Sequence, residues 1–484
     1  NQQEIQHEEV VTDPVYRTYK IRYFGLTMLV LLQIVTALNW TIFAPAPQFA
    51  ADYYNTSLSA INWFANVYLL CYLVSSPLSS LAFERYSLKF GIVTGAVLQL
   101  IGAWLRYFST FVQNQQGKFA LAMIGQILCA LAQPFILNAP TPYAATWFTP
   151  AARATANMAG SICKCKKKPN PNYPDNIIRI EQPNDFVKII FIANPVGVAL
   201  ADLIIPVLIV DEPSLPFGLL IVACITTAVA IPTVFIPPRP RTPPSSSAAR
   251  VNSRPYLPDL KLLLTNWNYL VLLFCFGTFV GIFNAMSTLL NQIVTPYGYS
   301  NDDAGFMGVG MIVGGLVGAI AMAIFVDKTK LHKIAIKISL FLSGIIYLIL
   351  FFVVKADNMI AIMVICVLIG FLNFSALPVG LELGVECTFP VAESASSSTL
   401  WASSQILGLI FIEVMDALRY PDDQGDPVGN MRRALILVAV FALVAGTASL
   451  LYRSRNYRME SEAADALQQQ DDSNLEMHDK SEEA

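Results

Sequence analysis

The chain has 484 residues, 55% of them hydrophobic and only 13% charged, with a net charge of −3 and a mean hydropathy of +0.53. A soluble domain carries about 25% charged residues, so the composition excludes a soluble globule and implies a chain that crosses a bilayer many times. The nearly balanced charge gives no basis for binding nucleic acid.

Residues 1–22 are polar, lack the apolar run of a signal peptide and end on Arg17, Lys20 and Arg22. Apolar segments of about 20 residues follow, the length that spans a bilayer. They lie near 23–46, 59–82, 88–109, 118–140, a broken fifth, 214–236, 267–292, 303–326, 333–354, 358–383, 393–418 and 431–452. The expectation is an all-α membrane protein of twelve spans.

The fourth segment is the most polar. Gln126, Gln133 and Asn138 interrupt an apolar run, and Pro134, Pro140 and Pro142 bend or break the helix beside them. An uncompensated amide in hydrocarbon costs about 2–7 kcal/mol, so these groups face a protein interior or a watery cavity. Polar groups beside a break at membrane depth suit a solute site. Equally, they can pair with neighbouring helices as interhelical glue.

The fifth segment is interrupted at 163–191 by Lys164, Lys166, Lys167, Lys168, Arg179 and Lys188. A central Lys or Arg costs about 2.5–3.5 kcal/mol even on the lenient insertion scale. This stretch therefore loops into the cytoplasm, and the helix is split or rebuilt from Ile189 onward. It reads as a regulatory loop or as a retained intron or gene-model error. Residues 237–262, rich in Pro and Ser, form a solvated linker. The tail, 453–484, is acidic, glutamine-rich and disordered by composition.

Lys and Arg set the orientation. They collect at Arg85, Lys89, Arg153, Arg239, Arg241, Arg250, Arg254, Lys261, Lys328, Lys330, Lys333, Arg453, Arg455 and Arg458, whereas loops 47–58, 211–213 and 293–302 have none. Both termini and the linker are expected in the cytoplasm. The sequon Asn55-Thr56-Ser57 then falls on the outer side.

The halves, 23–236 and 263–452, echo each other. Phe83-Glu84-Arg85 is matched by Val326-Asp327-Lys328, and Pro150-Ala151-Ala152-Arg153 by Pro390-Val391-Ala392-Glu393. Asn194-Pro195-Val196-Gly197 then matches Gln405-Ile406-Leu407-Gly408, and Asp202 matches Glu413, at a shorter spacing. The difference is the insert at 163–191, which has no counterpart in the second half. The eight cysteines are scattered, with no disulfide framework or zinc spacing. His7, His332 and His478 sit in polar tails or loops, which leaves no buried histidine for a proton relay or a haem. No Ser/His/Asp arrangement, metal cluster or phosphate loop appears, so the chain is not read as an enzyme, and no cofactor is expected.

Two six-helix halves with a polar linker and acid-base turns resemble the major facilitator superfamily. Within it the sequence is similar to the family of the feline leukaemia virus subgroup C receptors and the disrupted-in-renal-carcinoma protein. The residues that carry this are Leu38-Asn39-Trp40, Ala60-Ile61-Asn62-Trp63 with Tyr68, Tyr72 and Pro77, and Gly102-Ala103-Trp104-Leu105-Arg106. Gly125-Gln126 to Trp147-Phe148, Ser287-Thr288-Leu289-Leu290-Asn291, Leu377-Pro378-Val379-Gly380-Leu381-Glu382, Val385-Glu386, Phe389-Pro390 and Ser404-Gln405 extend it. The resemblance implies two pseudo-symmetric six-helix bundles working by alternating access. It implies a small polar or cationic organic solute, such as a choline- or ethanolamine-like amine or a vitamin-like compound, in a multi-pass monomer of a plasma or vacuolar/lysosomal-type membrane. A haem exporter and a non-transporting receptor or sensor are the alternatives. The cavity aromatic of helix one falls on Trp40, and the glutamines of helices four and eleven on Gln133 and Gln405. Where the choline branch has a tyrosine in helix seven, this chain has Asn284. Asn138 and Asn284 complete the expected cavity. Glu84, Arg85, Asp327 and Lys328 are the expected cytoplasmic gate, with Asp202 and Glu413 as an outer gate or coupling acids.

Overall fold

The structure is a computed structural model that describes residues 19–147, 186–240, 256–329, 331–388, 391, 393–421 and 425–454. All regular structure among these residues is helical, the arrangement that satisfies every backbone polar group within lipid. The first half comprises α1 (Arg22–Trp40), α2 (Pro47–Tyr54), α3 (Leu58–Arg85), α4 (Leu88–Ser109), α5 (Gln115–Leu137), α6 (Pro140–Trp147), α7 (Phe186–Leu208) and α8 (Leu215–Ala230). The second comprises α9 (Tyr256–Thr265), α10 (Trp267–Val294), α11 (Asn301–Thr329), α12 (His332–Val353), α13 (Met359–Thr388), α14 (Glu393–Ala417) and α15 (Arg432–Ala448).

Four helix starts are fixed by polar caps. Ser57, Ser87, Asn114 and Asn266 each accept a backbone N–H at the head of α3, α4, α5 and α10. Eleven helices among the described residues are long and apolar enough to cross a bilayer. α7 supplies a shorter apolar stretch, Ala193–Leu208. It begins at Phe186, slightly before the expected Ile189, and residues 163–185 of the insert lie outside the described residues.

Two boundaries differ from expectation. α1 ends at Trp40 rather than near residue 46, so Trp40 is the last residue of its helix and not mid-helix. Pro45 and Pro47 follow, and Pro47 opens the separate α2, as a proline suits a first helical turn. α5 runs through Pro134 to Leu137, and the break falls after it, at Asn138 and Ala139. Neighbouring helices let a membrane helix carry one proline without ending.

A third difference concerns histidine. His332 is not in a loop but opens α12, is buried, and lies 3.3 Å from Glu382 of α13 (Nε2 to Oε1). The acid lies in the following span, about fifty residues along the chain, so the local sequence conceals the pairing.

The largest apolar cluster fills the second half and reaches Trp40, Ala65, Tyr68, Leu69 and Ala130 of the first. Two smaller clusters lie at opposite ends of the first half, one around Leu29, Tyr143 and Ile236, the other around Phe43, Phe64 and Ile205. Between them the first half is pinned by Arg106. Its guanidinium donates to the Asn39 carbonyl at 3.0 Å, to Gln126 Oε1 at 2.6 Å and to Asn39 Oδ1. A buried guanidinium so held keeps its charge off the hydrocarbon. Gln126, which also donates to the Phe64 carbonyl at 2.9 Å, is therefore interhelical glue.

Candidate functional site

The end of the molecule opposite the linker carries the hydrogen bonds that join the halves. Asn62 and Asn66 stand one turn apart on the same face of α3. Asn66 Nδ2 donates to Glu413 of α14. Asn62 Nδ2 donates to Asp416 Oδ1 at 3.1 Å, and Asn62 Oδ1 accepts from Gln292 Nε2 at 2.6 Å. Arg419 reaches Gln292 at 3.5 Å and Asp416 at 3.9 Å. Asn291 Nδ2 donates to the Pro45 carbonyl at 2.9 Å and to Asn301 Oδ1 at 2.8 Å. The space just inside, lined by Trp40, Phe43, Asn62, Ala65 and Thr288, measures about 10 Å³, the room of one water. This end is shut.

Asp202 occupies a second contact between the halves. It is buried on α7 against α11, where a β-carbon at Gly308 would lie 2.9 Å from its Cγ and one at Gly305 3.3 Å from its carbonyl carbon. The missing side chains let the helices approach to backbone contact. Asp202 and Glu413 thus lie on two different inter-half faces, the first among glycines and the second on an amide.

Among the buried side-chain atoms of the described residues that lack a hydrogen-bond partner are Trp40 Nε1, Gln133 Oε1, Ser287 Oγ and Gln405 Oε1, beside others such as Thr278 Oγ1, Asn194 Nδ2 and Gln99 Nε2. Each costs about 1–3 kcal/mol if left unmade. The first four come from α1, α5, α10 and α14, two helices of each half. Gly408, one turn past Gln405, is the crossing of α14 with α10 and α3. A β-carbon there would meet Leu69 at 3.4 Å and Asn284 at 3.6 Å. Asn284 and Gln405 are thereby brought to one crossing.

Asn138 is placed differently. It accepts from Tyr72 OH at 3.2 Å and donates to Ser76 Oγ at 3.2 Å and Ser79 Oγ at 3.1 Å. Its amide is fully engaged in tying α5 to α3. Of the four turn residues, Arg85 and Lys328 are exposed, while the side chains of Glu84 and Asp327 lie outside the described residues. Among the described residues no group of three His, Cys, Asp or Glu gathers in a way that could hold a metal.

Sequence reasoning missed the contribution of Asn62, Asn66, Gln292, Asp416 and Arg419 to the closed end. A signal was present. Glu413, Asp416 and Arg419 recur at three-residue spacing near the end of an apolar span, and Asn62 and Asn66 share a face.

The family model described as the Major Facilitator Superfamily matches residues 29–162 and 189–412, leaving out 163–188 of the insert. Solute carrier family 49 member A3 of Danio rerio is 34% identical over 416 residues, 84% of this chain and 80% of that protein. The choline/ethanolamine transporter FLVCR2 of Rattus norvegicus is 26% identical over 457 residues, 92% of this chain and 77% of that protein. Among solved structures, a D-xylose-proton symporter superposes with a TM-score of 0.66 at 14% identity, over 90% of this chain and 98% of that one.

Proposed function

We propose that this chain, which belongs to the major facilitator superfamily, moves a small polar or cationic organic solute through a site between its halves. The site is Trp40, Gln133, Asn284 and Gln405, joined by Ser287. The observation that carries this reading is the set of unpartnered polar atoms buried on two helices of each half. Each such group costs about 1–3 kcal/mol if left unmade. Trp40, Gln133, Ser287 and Gln405 stand apart from the larger unpartnered set because Gln405 lies one turn from the crossing that holds Asn284 and because both halves contribute. A solute with hydroxyl, amine or carbonyl groups would complete them, and the Trp40 face suits a cation. The relatives named as choline/ethanolamine transporters favour an amine of that kind.

Asn62, Asn66, Gln292, Glu413 and Asp416 form the gate opposite the linker, and Asp202 holds the second seam. Glu84, Arg85, Asp327 and Lys328 form the gate of the linker end. The Lys and Arg distribution supports cytoplasmic termini and a cytoplasmic linker, and the proposal is completed by a monomer in a plasma or vacuolar/lysosomal-type membrane.

Uptake of labelled choline and ethanolamine into proteoliposomes tests this. Trp40→Ala and Gln405→Ala should each weaken apparent affinity by about 0.5–2 kcal/mol, up to roughly 30-fold, with the protein folded and inserted as before. Saturable uptake with unchanged concentration dependence in both variants would reduce these residues to packing.

A further inference from the structure

On the outside of the first half, at the linker end, a groove of about 480 Å³ opens between α4 and the short helical turn Ile231–Phe235 that follows α8. Phe90, Val93 and Val97, a single stripe of α4, make one wall, and Val234 stands opposite. The polar residues Ser87 and Lys89 lie at the mouth, where α4 begins. Tyr86 is exposed beside it, its ring 4.9 Å from that of Phe90. Arg85 precedes the mouth on the chain, and Arg239 follows Val234 closely; both are exposed.

An apolar groove open to the bilayer is filled by acyl chain, because water there would leave its walls unsolvated. The walls alone accept any lipid. The mouth does not: Lys89 is half-buried along the wall, which sends its ammonium to headgroup level. The first turn of α4 adds backbone N–H groups that favour an anion. Ser87 takes one of these, from Phe90 at 3.1 Å. Basic pockets between helix ends at the cytoplasmic side select anionic headgroups.

We propose that this groove binds one anionic phospholipid, its acyl chain along Phe90, Val93 and Val97 and its phosphate at Lys89, so that it splints α4 to the end of α8. Assigning it to the cytoplasmic leaflet rests on the orientation proposed above; the site itself does not.

The full chain in nanodiscs of phosphatidylcholine with a minor fraction of phosphatidylglycerol, read by native mass spectrometry, tests this. One phosphatidylglycerol should be retained over phosphatidylcholine by about fivefold for each cation engaged. Lys89→Glu and Val93→Trp should each abolish the preference, and Lys261→Glu, an exposed cation at the same end, should keep it. Free glycerol phosphate should not displace the lipid, which separates a lipid site from a phosphate site. Should Val93→Trp not fold, Thr94→Phe fills the same space. Equal retention of the two lipids, or a preference that survives Lys89→Glu, overturns the proposal. A preference lost in Lys89→Glu but kept when the groove is filled also overturns it, leaving a surface contact only.

Discussion

Where α7 meets α11, the halves touch through backbone, Asp202 lying against Gly305 and Gly308 with no room for a β-carbon. Where α3 meets α14, they touch through side chains, with Asn62 and Asn66 bonded to Asp416 and Glu413. The sequence repeat pairs Asp202 with Glu413, so matched positions of the two halves lie at two kinds of seam. A steric seam cannot loosen by degrees, because close-packed surfaces are bistable rather than deformable. A polar seam can, since each hydrogen bond has a counterpart with water and nets only about 0.5–1.5 kcal/mol. The first suits a pivot and the second a latch.

The hardest test of this difference is Gly308→Leu. The new side chain would occupy the Asp202 carboxyl, and overpacking costs about 1–3 kcal/mol, at times more. We expect the largest loss of thermal stability in detergent of any single change at either seam. Parental stability in Gly308→Leu would mean that α7 and α11 are not held as close as the structure has them.

Next comes Glu413→Ala. It strands the amide of Asn66, which is 0% exposed, at about 1–3 kcal/mol. At a latch this cost falls on closing rather than on folding. Labelling of Thr288→Cys by an impermeant thiol reagent should rise by roughly 5–150-fold, with little change in melting temperature. Asn66→Ala added to Glu413→Ala should cost almost nothing further, because the pair acts as one unit. Additive effects would show that the two side chains serve separately.

Much of this architecture is legible in the sequence, and the failures have physical causes. Span length and the acid-base turns give the two-bundle fold without any contact information. Gln133 and Gln405 were legible as polar groups at membrane depth. Whether such a group serves a solute or a neighbouring helix is not local information: Gln126 and Asn138 look the same in sequence, yet Arg106, Phe64, Tyr72, Ser76 and Ser79 take them up. The end of α1 at Trp40 was hidden because the apolar run continues past it through Ile42, Phe43 and Ala44. His332 was misread because its burial depends on Glu382 in another helix. The amides of the closed end are hidden in the sequence because Asn and Gln near helix ends read as solvated.

The smallest effect is expected from Arg419→Gln, at the rim of the latch. Its ion pair with Asp416 is long at 3.9 Å, as is its bond to Gln292 at 3.5 Å. The two side chains are only 18% and 11% exposed, but so long an i,i+3 pair contributes no more than about 0.2–1 kcal/mol, and glutamine keeps a donor toward Gln292. Accessibility of Thr288→Cys should therefore rise no more than about fivefold. The difference between Arg419→Gln and the parent should also shrink as salt rises toward 1 M, where screening acts over about 3 Å. The Glu413→Ala effect should persist in the same salt, because Asn66 is buried and its loss is one of desolvation rather than of charge attraction. Arg419→Gln opening the end as far as Glu413→Ala would move the latch from the buried amides to the Arg419–Asp416 pair, and the contrast between the two seams would then be one of charge rather than of hydrogen bonding.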